Sequence, residues 1–451
     1  MKKKILILEN KEAGRSLTDA ASRIAPDVQS VATSQGLLEQ ARRFNPDLIL
    51  LDTNHQPGRP FLQDRQLLGT LKETGNTFLV VSDRRDPEAI MEAQSMGASD
   101  FICRPFHLRE FILRLSASLQ RKQRIVCLGG GTGLFTLLMG LKRIPNALLT
   151  SIVSMSDDGG SSGRLRASFG ILPPGDIRRS LVALSNAPEV MNELIQYRFK
   201  KGKELEDHSL GNLLLTALSE IKGGMPEAVK ALGDILNIQG VVLPVTTTLT
   251  DLVAEFEDGT IVRGESKIDQ GMGRNPNLRI VNFNHEPHPE SNPDAYAALV
   301  FADLITIGPG DLFTSIIANV SISKIRDAIS KSRAKKIYFC NVMTKPGETS
   351  HYTVADHVKE IIRYLGGDFL DYVFLSDTKF TDDSLQEYAL KGQGPVLTDL
   401  AEAAAARITK ARFISADLAH QNELVRHDSD KIRIHIEKLL EELSVIREPL
   451  D

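Results

Sequence analysis

Glycine-rich stretches follow several apolar, strand-like runs of this sequence and precede helix-like runs. The first run, RIVCL, leads into GGGTG and then into the helical pattern LFTLLMGL. Glycine lets backbone N–H groups approach an anion, and a following helix N-terminus adds partial positive charge. The sequence therefore predicts a phosphate or diphosphate site at Gly129, Gly130, Gly131, Thr132 and Gly133. No GK[ST] follows, and Leu134 replaces the third glycine of GxGxxG, so a tight turn is the simpler explanation of this stretch alone.

A second loop combines carboxylates, glycines and serines after the apolar run ALLTSIVSM. Asp157 stands near the offset of about 20 residues at which dinucleotide-binding folds place an acid on a ribose hydroxyl. Adjacent carboxylates could instead bind Mg²⁺ or cap the following turn. The candidate binding residues of this loop are Asp157, Asp158, Gly159, Ser161, Ser162 and Arg164.

Four further loops repeat this arrangement. In PPGD, Asp176 is a natural N-cap for the following helix, and Arg178 is placed to face a ligand. The candidates in these loops are Gly175, Asp176, Arg178, Gly211, Asn212, Gly308, Pro309, Gly310, Thr314, Asn341 and Thr344. Because the carboxyl ends of parallel strands meet at one edge of a sheet, we expect the loops to converge on one crevice. Turn chemistry alone hardly explains so many polar, glycine-rich strand ends in one domain.

The elements that must position these loops are those of an α/β protein. Strand-like runs alternate with helical patterns from the start of the chain, at ILIL (5–8), DLILLD (47–52), FLVVS (78–82) and DFIC (100–103), which is typical of parallel sheets. The polar stretch 120–124 is the best boundary, so we predict domains at 1–122 and 124–445. The segment 252–265 alternates around Asp258-Gly259 and predicts a hairpin with a type I′ turn, an antiparallel excursion from the parallel core.

Composition excludes several classes of protein. The chain has 451 residues, a formal net charge of −4 and 42% hydrophobic residues, which is typical of a globular protein rather than a disordered one. This charge balance lacks the basic footprint of a nucleic-acid binder. No apolar run is long enough to span a bilayer or to serve as a signal peptide, so we expect a cytoplasmic protein. Three widely spaced cysteines give no zinc or disulfide pattern.

The N-terminal region, about residues 1–122, resembles the CheY-like receiver domains of two-component signalling. The resemblance implies a flavodoxin-like fold and a phosphoacceptor at Asp52, with Glu9 and Asp52 holding Mg²⁺, and Ser82 and Arg104 contacting the phosphoryl group. Two positions depart from the family, because Asn10 replaces an acid and Arg104 replaces a lysine. A sensor kinase or small phosphodonor is the implied partner. The alternative is a docking or dimerisation module that is never phosphorylated.

The C-terminal region, about residues 124–445, resembles the YvcK-type gluconeogenesis factors, relatives of 2-phospho-L-lactate transferase (CofD). The motifs that carry the resemblance are GGGTG, SDDGGSSGRLR, PPGDIRRSLVAL, HSLGNLLL, GPGDLFTSI and NVMTKPGET. It implies a Rossmann-like fold that binds a UDP-sugar, notably UDP-N-acetylglucosamine, and a regulatory role in carbon metabolism, cell-wall synthesis and cell shape. Tyr388 and Arg426 resemble further residues of the sugar-nucleotide pocket, where a ring could stack and a guanidinium could bind diphosphate. The alternative is that Tyr388 packs on a terminal helix and that Arg426 forms a surface ion pair.

Two functions remain open on the sequence. No nucleophile–base pair or metal-ligand cluster is visible, which favours a binding and regulatory protein, expected as a homo-oligomer with metabolic or cell-wall regulators as partners. The alternative is a transferase that uses a guanine nucleotide and Mg²⁺, because group transfer of this type needs little beyond positioning and charge stabilisation. A vestigial crevice on a scaffold protein would bind no ligand.

Overall fold

The computed structural model describes residues 2–9, 17–53, 71, 75–271, 274–398, 408–421 and 425–447. Two parallel sheets, one on each side of residues 121–122, form its framework. The α/β fold class predicted from the sequence is therefore confirmed. No helix among the described residues combines the length and apolar character needed to cross a membrane.

The first sheet has the strand order β2-β1-β3-β4-β5 and is parallel throughout. This is the order of flavodoxin-like doubly wound folds. The bounds are β1 Lys4–Leu8, β2 Asp27–Val31, β3 Leu48–Asp52, β4 Phe78–Ser82 and β5 Asp100–Cys103, with helices α1 Leu17–Ala21, α2 Ser34–Phe44, α3 Pro87–Ser95 and α4 Leu108–Gln120. Four strands match the apolar runs of the sequence. β2 was missed because it is a half-buried edge strand with the mixed sequence DVQSV.

The second sheet has the order β15-β14-β13-β12-β6-β7-β8, and its pairs are all parallel. From the central strand β6, the chain first adds β7 and β8 on one side. It then adds β12, β13, β14 and β15 on the other side. The bounds are β6 Gln123–Gly129, β7 Ala147–Val153, β8 Val241–Pro244, β12 Leu304–Ile307, β13 Lys335–Phe339, β14 Tyr372–Ser376 and β15 Arg412–Ala416. The topological switch point lies between β6 and β12, where open α/β sheets bind their ligands.

Helices follow most strands of this sheet. They are α5 Gly131–Leu141, α6 Gly160–Phe169, α7 Gly175–Leu184, α8 Glu189–Gln196, α9 Leu210–Lys222, α10 Met225–Ile235, α11 Glu265–Gln270, α12 Pro293–Val300, α13 Ala318–Val320, α14 Ser323–Lys331, α15 Val354–Leu365, α16 Asp382–Leu390 and α17 Ser429–Arg447, with a π-helical segment at Leu312–Ile317. A hairpin, β16 Ala419–Gln421 and β17 Val425–His427, lies close to the N-terminal half of α5.

The predicted antiparallel excursion is present. β9 Asp251–Phe256 pairs with β10 Ile261–Arg263 and with β11 Ile280–Glu286. The predicted type I′ turn is wrong, because only Gly259 has positive φ (+83°) and type I′ needs it at both central residues. The connection is longer than two residues, with the Gly259 N–H donating to Phe256 O.

The two sheets belong to regions that pack on each other through α3, β5 and α4. Gln94 Nε2 donates to Val300 O at 2.6 Å, and Arg109 Nη1 donates to Gly233 O at 2.9 Å. Asp100 is buried here and accepts from Arg114 Nε at 2.9 Å. This contact therefore combines apolar packing with a buried ion pair.

Candidate functional site

A cavity of about 170 Å³ opens at the switch point between β6 and β12. Its walls come from the loops after β6, β12 and β13 and from the strand β17. The lining residues are Thr132, Gly133, Thr136, Pro309, Gly310, Asp311, Asn341, Val342, Met343, Val425, Arg426 and His427. Six of the predicted binding residues are in this set: Thr132, Gly133, Pro309, Gly310, Asn341 and Arg426.

The first glycine loop is closely packed against the loop after β12. Gly131 has φ +62°, and a Cβ at Gly133 would lie only 2.6 Å from the carbonyl carbon of Pro309 and 2.9 Å from the nitrogen of Gly310. No side chain at Gly130 caps α5. The glycines are therefore required by the meeting of two backbone segments, and this meeting leaves the amides of the first turn of α5 beside the cavity.

The PPGD loop reaches the same rim from the other side. A Cβ at Gly130 would lie 2.7 Å from Asp176 Oδ2, and one at Gly175 would lie 2.6 Å from Asp157 Oδ2. Asp176 does not cap its own helix as predicted, since α7 begins at Gly175 behind Pro174. Its carboxylate accepts the Gly131 N–H instead, across the rim. The glycine loops after β6 and β7 and the PPGD loop therefore converge.

Asp157 and Asp158 are adjacent in sequence but have different surroundings. Asp157 accepts from the Gly159 N–H at 3.0 Å and faces Gly175. Asp158 accepts from the Ser266 N–H at 2.7 Å, which ties the first turn of α11 to the rim. Asp158 thus holds the antiparallel excursion in place, and Asp157 is the one directed at the rim.

Acidic groups along this rim have raised pKa values. Burial, followed by the charges of Asp157, Asp269 and Asp158, raises the pKa of Glu265 to about 9. Burial, with a contribution from Asp157, raises the pKa of Asp176 to about 6. Carboxylates crowded in this way are a set that a cation would stabilise.

A second acidic cluster lies next to the cavity and is paired with a lysine. Carboxylate oxygens of Asp269, Asp311 and Glu348 lie within 4.8 Å of one another. Lys345 Nζ bridges them, with distances of 2.7 Å to Asp311 and 3.4 Å to Glu348 and a contact with Asp269. Thr314 Oγ1 donates to Glu348 at 3.0 Å, so this predicted site residue supports the cluster and does not line the cavity. The ammonium of Lys345 takes the place that a metal ion would need.

The part of the chain between β7 and β8 also forms a polar cluster that does not include Asp157 or Asp176. It is composed of Ser161, Arg164, Arg178, His208 and Asn212, which are connected by hydrogen bonds of 2.9–3.1 Å. Gly211 is at the base of this cluster, because a Cβ there would meet Arg178 Cδ at 2.7 Å. Ser162 lies beside Gly175, and Gly159 and Gly160 precede α6.

The remaining predicted residues differ in their relation to the cavity. Asn341 Nδ2 donates to Gly310 O at 2.9 Å and holds the loop after β12. Thr344 Oγ1 donates to Gly394 O at 3.1 Å and is not in the lining. Tyr388 is buried, and its hydroxyl accepts the Val425 N–H at 2.7 Å. Tyr388 thereby supports β17, the strand that presents Arg426, and its stacking on a ligand ring stays a prediction.

His427 lines the cavity and was not singled out from the sequence. Burial lowers its pKa to about 4, and its hydrogen bond to the Cys340 backbone acts in the opposite direction. The imidazole is therefore neutral near pH 7. The only sequence signal was its position beside Arg426.

Of the residues predicted for a phosphoacceptor site in the N-terminal region, Arg104 contacts Asp52. Arg104 binds this carboxylate with two parallel hydrogen bonds of 2.8 Å each, from Nη1 to Oδ1 and from Nη2 to Oδ2. Glu9 is buried and accepts the Leu17 N–H at 2.8 Å, and Ser82 Oγ accepts from Thr53 Oγ1 at 3.0 Å. Asn10 lies outside the described residues. Both oxygens of the predicted phosphoacceptor are thus engaged by Arg104.

Comparison with known proteins agrees with this geometry. The family model described as 2-phospho-L-lactate transferase CofD matches residues 125–419. The gluconeogenesis factor of Bacillus subtilis is 42% identical over 322 residues, which cover 71% of this chain and 99% of that protein. A putative gluconeogenesis factor of Thermotoga maritima is 42% identical over 318 residues, 70% of this chain and 99% of that one.

A solved structure shows the same similarity. A crystal structure of a Bacillus halodurans protein, described as a member of the UPF0052 family, is 38% identical, with a TM-score of 0.66 over 70% of this chain and 99% of its own. The chain therefore belongs to the gluconeogenesis factor family and, through residues 125–419, to the CofD domain family.

Proposed function

We propose that this protein is a cytoplasmic, nucleotide-sugar-binding regulator and that the cavity at the switch point takes the diphosphate of UDP-N-acetylglucosamine or a related compound. The observation that carries the proposal is the presence of Arg426 in that cavity. Arg426 is on the exposed side of β17 and has no hydrogen-bond or ion-pair partner among the described side chains. A guanidinium left free beside the N-terminus of α5 is suited to a diphosphate.

Three helices near the rim lack a side-chain cap from their own N-cap residue. These are α5, α6 and α7, although Asp176 accepts the Gly131 N–H of α5. In contrast, α9 in the HSLGN motif is capped by its N-cap residue Ser209, which accepts the Asn212 N–H at 3.2 Å. Uncapped first turns keep N–H groups free for a ligand. The difference between these helices and α9 supports an anionic ligand rather than turn formation alone.

Mg²⁺ fits as a companion of the nucleotide. Asp157, Asp176 and Glu265 offer hard oxygen ligands, and the raised pKa values of Asp176 and Glu265 mean that their charged forms are disfavoured until a cation stabilises them, although Arg179 already lies 3.2 Å from Asp176. We infer that Asp157 and Asp176 would hold the ion, because Asp158 is engaged by Ser266. The ion would neutralise the diphosphate and the rim carboxylates together.

A transferase of the CofD type is the second candidate. The same crowded carboxylates beside a diphosphate site favour it, since they could hold a metal ion at a transferred group. Its donor would be a guanine nucleotide. The predicted roles in carbon metabolism, cell-wall synthesis and cell shape, and control through the N-terminal region, are proposals that belong to the regulatory alternative.

Calorimetry separates these functions. Wild-type protein is titrated with UDP-N-acetylglucosamine, UDP and GDP, with and without Mg²⁺. We expect uridine ligands to bind and Arg426→Ala to weaken them more than tenfold, above about 1.4 kcal/mol. Arg412→Ala is the matched control, because Arg412 is likewise an exposed arginine but lies on β15 of the seven-stranded sheet, outside the cavity lining. Binding of GDP alone would favour the transferase, and binding of no nucleotide would contradict both.

A further inference from the structure

The polar cluster formed by Ser161, Arg164, Arg178, His208 and Asn212 keeps some hydrogen-bond donors that its internal hydrogen bonds do not use. Its members come from α6, α7, α9 and the loop before α9. None of them lines the cavity at the switch point. The assignment of donors and acceptors within the cluster shows which hydrogen-bond donors remain for a ligand.

The tautomer of His208 follows from its neighbours. Arg164 Nε can only donate, and it lies 3.1 Å from His208 Nε2, so this nitrogen accepts. Burial, followed by the charges of Arg164 and Arg198, lowers the pKa of His208 and keeps the ring neutral. Nδ1 therefore carries the proton and donates to Ser161 Oγ at 3.0 Å.

Ser161 consequently has a hydrogen atom left over. Its oxygen also accepts from Asn212 Nδ2 at 3.1 Å, so both lone pairs of the hydroxyl are used. The hydroxyl hydrogen has no acceptor among the described residues. Ser161 is 96% buried in the fold, since only 4% of its surface is exposed, and a buried unmade hydrogen bond is costly.

Arg178 also has unused hydrogen-bond donors, and it carries a positive charge. Its Nε donates to Asn212 Oδ1 at 2.9 Å, and its two terminal nitrogens have no partner among the described residues. No described carboxylate lies within ion-pair distance, although only 7% of the residue is exposed. Burial, followed by the charges of Arg179 and Arg198, lowers its pKa to about 10. The charges of Asp176 and Asp157 act in the opposite direction, but neither carboxylate forms an ion pair with Arg178. A buried guanidinium without a paired counterion is a reason to expect an anion.

The start of α6 adds backbone donors to these side chains. Gly160 opens the helix with φ +45°, and the space beside its Cα is free of other atoms. Ser161 is in the first turn, where N–H groups have no intrahelical acceptor. The helix dipole, the Ser161 hydroxyl and the Arg178 guanidinium thus favour the same kind of ligand group.

We propose that Ser161, Arg178 and the first turn of α6 form an oxyanion subsite for a second, small ligand that carries a phosphate or carboxylate group. The proposal rests on the proposed function, because it places the nucleotide diphosphate in the cavity next to Arg426. Asp157 and Asp176 lie beside Gly175 and Gly130, and their charges act on Arg178. A cation held there would shield one anion from the other, so the protein would bind both ligands at the same time.

Titration with inorganic phosphate and with acetate tests the subsite and distinguishes the two ligand groups. We expect phosphate or acetate to bind wild-type protein, to bind it also when UDP-N-acetylglucosamine is saturating, and to bind Arg426→Ala unchanged. Ser161→Ala and Arg178→Lys should each weaken this binding more than tenfold and leave the affinity for the nucleotide sugar within threefold. Arg412→Ala is again the control, and circular dichroism checks that each variant is folded.

Two results would overturn the proposal. If phosphate and acetate both fail to bind, the donors are a structural cluster only. If they bind but are displaced by the nucleotide sugar, the subsite belongs to the nucleotide itself and no second ligand is needed. Failure of the proposed function would be a different result, namely no binding of the nucleotide sugar to wild-type protein. That result does not affect the phosphate titration.

Discussion

Replacing Gly133 by alanine tests whether the contact between two backbone loops shapes the cavity. The added Cβ would lie 2.6 Å from the Pro309 carbonyl carbon, whereas carbon atoms pack at about 3.5–4.0 Å. The loops after β6 and β12 must therefore separate by about 1 Å. Overpacking of this kind costs about 1–3 kcal/mol. Alanine is more favourable than glycine in a helix by about 0.5–1 kcal/mol, so the net loss of stability should be roughly 1–2 kcal/mol.

Gly140 provides a matched variant on the opposite end of the same helix. A Cβ there would meet the backbone of Ser429 at the start of α17, with its carbonyl carbon 3.1 Å away. Gly140→Ala should therefore destabilise the protein by a similar mechanism without opening the cavity. Gly394→Ala is the neutral control, since no atom lies within 4 Å of the added Cβ.

The assay combines thermal unfolding with calorimetry against UDP-N-acetylglucosamine. Gly133→Ala and Gly140→Ala should both lower Tm by a few degrees, as about 1–2 kcal/mol does in domains of this size. Only Gly133→Ala should weaken binding, by more than tenfold. Equal affinities for Gly133→Ala and Gly140→Ala would refute the reasoning, because the cavity would then not depend on the loop contact.

Three further outcomes are expected. Arg104→Lys should take up phosphate from acetyl phosphate at least tenfold faster than wild type, because lysine cannot cover both oxygens of Asp52; intact mass measures this, and equal rates would contradict it. Mg²⁺ affinity should rise with pH between about 5 and 7, because Asp176 is neutral below its pKa of about 6 and ionised above it; calorimetry should show a flat profile for Asp176→Asn. Asp100→Asn should lower the free energy of unfolding by about 3–5 kcal/mol in urea, since it leaves the buried Arg114 with Glu110, 3.3 Å away, as its remaining counterion; a loss below 1 kcal/mol would argue against the Asp100–Arg114 pair.

The sequence determined the framework and the chemistry of the rim. Apolar runs specified the central strands, because a parallel sheet is buried on both faces and needs continuous hydrophobic segments. Glycine loops after these runs indicated an anion site, and the cavity lies where β6 and β12 diverge, beside Gly133 and Pro309. The edge strand β2 escaped prediction, because all five of its residues are only partly buried and its sequence DVQSV has no apolar run.

Only the tertiary structure decided which polar groups meet. Asp176 caps α5 rather than its own helix, and Asp158 holds Ser266 rather than a ligand. Lys345 pairs with three carboxylates that stand far apart in the chain. The physical reason is that charge pairing and hydrogen-bond satisfaction depend on distances of a few ångströms between distant segments. A local pattern fixes where a strand or helix forms, but the partner of a buried carboxylate or guanidinium is set by the packing of the whole chain.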